Sequence, residues 1–231
     1  DKGLDGIEMV IDDELKGGIQ KELVATDRKG NAIFGSVLSK YLPDKGKSVT
    51  LTIDASIQFI AERALDKAME DTGAKHASVI VMDPKTGEIL AMANRPTYDP
   101  NHYSQGSEED FKNIAVTNLY EPGSTFKPII ASAALASGKW KLDQVYNDKG
   151  SFAANGHVMQ NWNGEGYGPV RLIDILKFSI NTGMAEIGTT TGADILSKYV
   201  RDYGFGSETG IELPGEGAGI LYNPEDMSKL D

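Results

Sequence analysis

The run Ile129-Ile130-Ala131-Ser132-Ala133-Ala134-Leu135-Ala136 is apolar on every side except at one hydroxyl. A helix of that character belongs in the core of a sizeable domain rather than on its surface. The segment Glu121-Pro122-Gly123-Ser124-Thr125-Phe126-Lys127-Pro128 leads into it, and Gly138 follows as a candidate C′ residue. Proline is comfortable only in a helix's first turn, so Pro128 fixes where this one starts. Positions three apart share a helical face, which predicts the Ser124 hydroxyl and the Lys127 amine within hydrogen-bond reach. At a helix N-terminus, unpaired N–H groups and the positive dipole end favour developing negative charge. A serine hydroxyl needs an adjacent base to attack, and Lys127 can be that base only if burial lowers its pKa. The same residues also describe a helix start with a capping serine and a lysine reaching for solvent, since S-x-x-K recurs by chance.

A second short pattern, Phe178-Ser179-Ile180-Asn181-Thr182-Gly183-Met184, lies between the helical pattern of residues 172–176 and the sequence Ala185-Glu186-Ile187-Gly188. A serine and an asparagine two apart on an inter-helix connection can point into one cleft, the first shuttling a proton and the second holding a substrate amide. The alternative is an N-cap pair opening the next helix. With S-x-x-K and S-x-N together, the chain resembles the penicillin-binding proteins, serine transpeptidases and carboxypeptidases of cell-wall synthesis. Several further stretches are similar to the class B, monofunctional, high-molecular-weight members. They are Gly3-Leu4-Asp5-Gly6-Ile7-Glu8, Leu51 to Gln58, Ala77 to Ala93, Arg95-Pro96-Thr97-Tyr98-Asp99-Pro100-Asn101, Tyr203-Gly204-Phe205-Gly206 and Thr209 to Glu216. The resemblance runs nearly end to end.

Composition narrows the remaining classes. A chain of 231 residues with 40% apolar content can bury a substantial core. A net charge of −11 argues against a general nucleic-acid binder, which needs a basic face. With no cysteine there is neither disulfide nor thiolate nucleophile, and His76, His102 and His157 have no ligand-like spacing, so no metal site is expected. No run is long enough to cross a bilayer, and the first residues are no signal peptide.

From the start of the chain, Ile7 to Leu15 is expected as a short acidic helix broken by Gly17-Gly18. Gln20 to Ala25 and Ala32 to Leu38 are expected as strands around the turn at residues 27–31. Val49 to Ile53 is expected as a strand, followed by a helix capped by Asp54 and closed by Gly73. The stripe expected to be buried on that helix is Ile57, Ile60, Ala61, Ala64, Leu65 and Ala68. Ser78 to Met82 and Glu88 to Met92 form a hairpin around Asp83-Pro84-Lys85-Thr86-Gly87. Lys85-Thr86-Gly87 spells the family's third motif, yet it precedes Ser124 and has the composition of a turn. Asn155 to Gly168, with Trp162 and Tyr167, is expected as a long loop that either lines the cleft or is plain solvent loop. Glu121 could orient partners near the serine, and a surface carboxylate is the expected reading.

The resemblance implies an α+β fold of the β-lactamase/transpeptidase type, a helical subdomain plus part of an antiparallel sheet, with a short β-rich segment before it. Residues 1–48 would be the end of a pedestal or linker region, and 49–231 a partial transpeptidase domain. No Lys-Thr-Gly or Lys-Ser-Gly follows Asn181, and relatives continue past the position of Asp231. The strand bearing that motif would supply one oxyanion donor and the substrate's docking edge. The implied activity is D,D-transpeptidation of peptidoglycan stem peptides through an acyl ester on Ser124. Lys127 would be the base, Ser179 and Asn181 would pass a proton and position substrate, and no cofactor or metal would take part. Implied partners are stem peptides, β-lactams, a polymerising glycosyltransferase and other cell-wall machinery, at the outer face of a bacterial membrane with the anchor lying upstream. A serine β-lactamase, which clears its penicillin adduct rapidly, a β-lactam sensor domain, and a scaffold with a vestigial site are the alternatives.

Overall fold

The computed structural model describes residues 2–17, 21–41, 45–154 and 156–225. Gly18 of the expected helix break, Gln20 of the first expected strand, Asn155 of the expected loop, and residues 226–231 lie outside the described residues. The chain divides into two compact units, Asp1–Asn118 with Ile211–Glu216, and Leu119–Gly210 with Gly217–Asp231.

In the first unit the expected acidic helix is two pieces, α1 (Gly6–Val10) and α2 (Asp12–Leu15), separated at Ile11. Asp5 caps the first, and the Asp12 carboxylate turns back to accept from Gly3 N at 2.8 Å. Strands β1 (Lys21–Thr26) and β2 (Ala32–Tyr41) pair antiparallel around a turn in which Asp27 Oδ1 accepts from the backbone of Lys29 and Asn31. An aspartate bonding its own backbone two residues on is the reason this residue type nucleates turns.

Helix α3 (Ala55–Thr72) starts where Asp54 accepts from Ser56 N and Ile57 N, and ends at Gly73 with φ 66°, as expected. Its buried face is rotated from the expected stripe: Ala61 and Leu65 are buried, but Ile60 is 65% exposed, and Gln58 and Glu62 turn inward. The reason is polar. The Gln58 amide accepts from Met92 N and donates to Met92 O, both at 2.9 Å, satisfying backbone groups of β4 (Ile89–Arg95) that its ladder with β3 (Ala77–Met82) leaves free. The same edge accounts for Val49 to Ile53, which forms no strand: Thr52 Oγ1 donates to Ile89 O at 2.6 Å and Asp54 N to Leu90 O at 2.9 Å. Lys85-Thr86-Gly87 occupies the β3–β4 turn, with Lys85 N held by Asp83 Oδ1 and Gly87 at φ 81°. Helices α4 (Glu108–Phe111) and α5 (Ile114–Thr117) complete this unit, with Ala61, Leu65, Ala91, Ala93 and Val116 buried.

The second unit carries the apolar helix. A 3-10 turn, Gly123–Phe126, runs directly into α6 (Lys127–Ala136), with Pro128 in its first turn and Gly138 at φ 71° beyond its end. Strands β5 (Tyr146–Asp148) and β8 (Gly168–Val170) pair with each other, and so do β6 (Ser151–Ala154) and β7 (His157–Gln160), all antiparallel. The expected long loop is therefore half hairpin, because Val158 and Met159 pair with Ala153 and Phe152 before the chain turns at Asn161. Helices α7 (Leu172–Lys177), α8 (Asn181–Thr191) and α9 (Ala193–Asp202) follow. Ala131, Ala134, Trp140, Val170, Leu172, Ile175, Ile180, Met184 and Ile187 form one core in which α6, α7 and α8 meet.

Gly183 permits the α7–α8 approach. A Cβ there would lie 2.8 Å from Ile175 Cδ1 and Cγ1, and Ile175 is itself fully buried. Gly183→Ala is expected to destabilise the protein by about 1–3 kcal/mol through overpacking. Denaturant unfolding checks this, and an unchanged midpoint would show that Ile175 can move aside.

Candidate active site

Ser124 lies in the 3-10 turn, three residues ahead of Lys127, the first residue of α6. Neither the turn nor α6 has a side-chain cap, so Ser124 is not a capping serine. Lys127 is half-buried and turned inward.

What it meets is the connection between α7 and α8. That connection closes α7 as a Schellman motif: Ser179 N donates to Leu176 O at 3.2 Å and Ile180 N to Ile175 O at 2.9 Å. The C′ position of this motif is left-handed and usually taken by glycine, whereas here it is Ser179, at φ 53°. Ile180 drops its side chain into the core beside Ile175, and Asn181 opens α8. The helix reversal thus presents the Ser179 carbonyl, the Ser179 hydroxyl and the Asn181 amide to one point.

Lys127 Nζ occupies that point. It donates to Ser179 O at 2.8 Å, Ser179 Oγ at 2.8 Å and Asn181 Oδ1 at 2.7 Å. Ser179 Oγ donates to Ser124 Oγ at 3.0 Å, and Asn181 Nδ2 donates to Gln160 O at 3.2 Å. The sequence predicted a direct meeting of the Ser124 hydroxyl with the Lys127 amine, but Ser179 Oγ stands between them. An amine with two or three N–H groups finds its acceptors along residues 179–181, where Ser124 could offer only one. Burial lowers the Lys127 pKa below the ordinary lysine value.

Three further residues support the site, and sequence reasoning missed them. Asp148, at the end of β5, is buried, and its oxygens accept from Thr182 Oγ1 (2.6 Å), Gly150 N (2.9 Å), Asn161 Nδ2 (2.7 Å) and Tyr167 N (2.9 Å). Burial alone would raise its pKa, and these hydrogen bonds outweigh it, holding the carboxyl below the usual value. Its side-chain partners Asn161 and Thr182 lie 13 and 34 residues away, a pairing that no local pattern signals. Glu121 is exposed, as expected, as is Trp162. Among the described residues, no group of His, Cys, Asp or Glu could hold a metal ion, and no helix is long and apolar enough to cross a membrane.

An S-x-x-K helix head meeting an S-x-N helix connection defines the class of serine-dependent, penicillin-recognising folds. Within that class the chain belongs to the penicillin binding protein transpeptidase domain family, whose profile matches residues 77–230. It is 38% identical over 233 residues to stage V sporulation protein D of Bacillus subtilis, covering 100% of this chain and 36% of that protein. It is 30% identical over 230 residues to the peptidoglycan D,D-transpeptidase FtsI of Escherichia coli, covering 100% of this chain and 38% of the relative. The crystal structure of penicillin binding protein 2X from Streptococcus thermophilus superposes with a TM-score of 0.82 at 29% identity, over 96% of this chain and 33% of that one. The chain thus spans between a third and two-fifths of these proteins' length.

The left-handed Ser179 can be tested without reference to chemistry. Ser179→Gly and Ser179→Ala both remove the hydroxyl, but only glycine relieves the backbone, so the glycine variant is expected to be the more stable by about 1 kcal/mol. Equal melting temperatures would mean that the connection relaxes in the alanine variant.

Proposed function

We propose that the protein containing this chain is a peptidoglycan D,D-transpeptidase that uses Ser124 as nucleophile, Lys127 as base, Ser179 as proton carrier and Asn181 as positioning amide. The observation that carries this reading is the hydrogen-bonded row from Ser124 Oγ through Ser179 Oγ to a half-buried Lys127 Nζ. As a free amine, Lys127 has two N–H groups for the carbonyls of Ser179 and Asn181, and its lone pair faces the Ser179 hydroxyl. Attack of Ser124 Oγ on the carbonyl carbon of a D-alanyl-D-alanine stem then sends its proton to Ser179 Oγ while the Ser179 proton passes to Nζ.

The resulting ammonium donates to all three oxygens. Reversing the row delivers a proton from Ser179 to the departing D-alanine nitrogen, and the carbon–nitrogen bond breaks to leave an ester on Ser124. An amine from a neighbouring stem peptide attacks that ester and completes the cross-link. A β-lactam offers the same carbonyl, and its ring nitrogen stays tethered after the bond breaks, so the ester persists.

The printed names of the relatives support the reaction class, and the second oxyanion donor is assigned to a strand bearing the family's Lys-Thr-Gly motif, which residues 182–231 do not carry. Losing one such donor typically costs about 10²–10³ in rate. Residues 1–48 fit the end of a pedestal region, and a membrane anchor upstream fits an enzyme working on the outer face of the cytoplasmic membrane.

Mass spectrometry after incubation with a labelled penicillin is expected to give a stable adduct on Ser124 in a protein extended past Asp231, little or none on residues 1–231 alone, and none in Ser124→Ala. No adduct on the folded, extended protein would sink the enzymatic reading, and rapid loss of the adduct would favour the β-lactamase reading.

The pH dependence has a definite sign. Because burial lowers the Lys127 pKa, the acylation rate should rise with pH through an apparent pKa below the roughly 10.4 of an ordinary lysine. Asn181→Asp places a carboxylate against Nζ, favours the ammonium and moves that limb to higher pH. An unmoved limb would show that the titrating group is not Lys127.

A further inference from the structure

Asp148 is 3% exposed, and no ion pair to it occurs among the described residues. A buried carboxylate is tolerated when its lone pairs are met by hydrogen bonds. Here the donors come from four separate places: the turn after β5, the end of β7, the backbone before β8 and the first turn of α8.

Two of those donors sit on either side of Asn181. Thr182 is its neighbour in the chain. Asn161 is the neighbour of Gln160, whose carbonyl accepts from Asn181 Nδ2 at 3.2 Å. Asn161 Oδ1 also accepts from Thr182 N at 3.2 Å, which closes the ring of contacts. The polarity of the Asn181 amide follows. With Nδ2 drawn to the Gln160 carbonyl, Oδ1 must face Lys127 Nζ, and a flipped amide would set donor against donor at Lys127 and acceptor against acceptor at Gln160.

We propose that Asp148, acting through Asn161 and Thr182, is a positioning residue that clamps the end of β7 to the head of α8 and so fixes the orientation of the Asn181 amide toward Lys127. The catalytic part of this rests on the function proposed above, but the clamp itself does not. Asp148, Asn161 and Thr182 are buried while Ser124 is exposed, so their effect passes through Asn181.

The test uses the full-length protein. Thr182→Val keeps the side chain's shape and removes the donor to Asp148 Oδ1, Thr182→Ser restores it, and Thr182→Ala stands in if the valine variant does not fold. The first readout is independent of activity: the NMR signals of the Asn181 side-chain amide, assigned by their loss in Asn181→Ala. They should shift or broaden in Thr182→Val and return to the wild-type position in Thr182→Ser.

The second readout is the acylation rate constant by a labelled penicillin per folded molecule. It should fall roughly tenfold or more in Thr182→Val, the scale expected when a catalytic group is misplaced, and recover in Thr182→Ser. An undisturbed Asn181 amide in the folded valine or alanine variant overturns the proposal. So does a wild-type acylation rate in a protein that acylates. A disturbed amide in a protein that never acylates would uphold the clamp and defeat the proposed function instead.

Discussion

One nitrogen with three oxygens around it organises the second unit. Lys127 Nζ draws the Ser179 carbonyl, the Ser179 hydroxyl and the Asn181 amide oxygen to within 2.7–2.8 Å, in surroundings dry enough to lower its pKa. A cation in such a place is costly unless it is fully hydrogen-bonded. Two of its partners can only accept, and the third is a hydroxyl that can do either. The same geometry therefore satisfies an ammonium with three N–H groups and an amine with two and a lone pair. Only the Ser179 proton has to change sides, and the hydroxyl that carries it is the one in contact with Ser124.

That arrangement asks for a sharp helix reversal, and the chain supplies it at some local cost. A left-handed serine costs about 1–2 kcal/mol relative to ordinary backbone, and Ser179 accepts it where glycine would be the relaxed choice. Glycine has no hydroxyl, so relief of the strain and possession of the hydroxyl that links Lys127 to Ser124 exclude one another. The compensation is nearby: Ile180 and Ile175 are both fully buried across the reversal, and Gly183 lets α8 close on α7. Strain held by packing from both sides is the condition under which unusual backbone persists at a functional site.

The parts of this structure that were legible in the sequence are those fixed by local chemistry. Asp54 and Gly73 bracket α3, Pro128 and Gly138 bracket α6, and the turn at residues 83–87 forms where its Asp, Pro and Gly place it. S-x-x-K and S-x-N were readable because each motif keeps its members within three residues, and the structure brings Ser124, Lys127, Ser179 and Asn181 together. Illegible parts depend on partners far along the chain. Val49 to Ile53 has strand composition, yet β4 is met by the Thr52 hydroxyl, Asp54 N and the Gln58 amide instead of a ladder. The same amide rotates α3 so that Ile60 faces outward, which an apolar count alone cannot anticipate. The direct serine–lysine contact failed for a related reason: helical spacing sets which face Lys127 leaves from but not where a four-carbon stem ends.

Asp148 is the extreme case of that long-range dependence. In a chain with 34 acidic residues, nothing in its immediate sequence separates it from those on the surface, and only the fold shows four donors converging on it. Its charge is useful because it is not neutralised by a cation. A salt bridge would satisfy the carboxylate through one partner, whereas hydrogen bonds from four segments make its solvation depend on all of them being in place at once. Moving the Thr182 hydroxyl or the Asn161 amide away would leave a buried anion short of a donor, at a penalty on the order of 1–3 kcal/mol or more for a charged group. The segments on both sides of Asn181 are therefore coupled through a single pair of oxygens. An amide whose polarity must be right at both ends is thus held by that coupling as well as by its own 3.2 Å contact with Gln160.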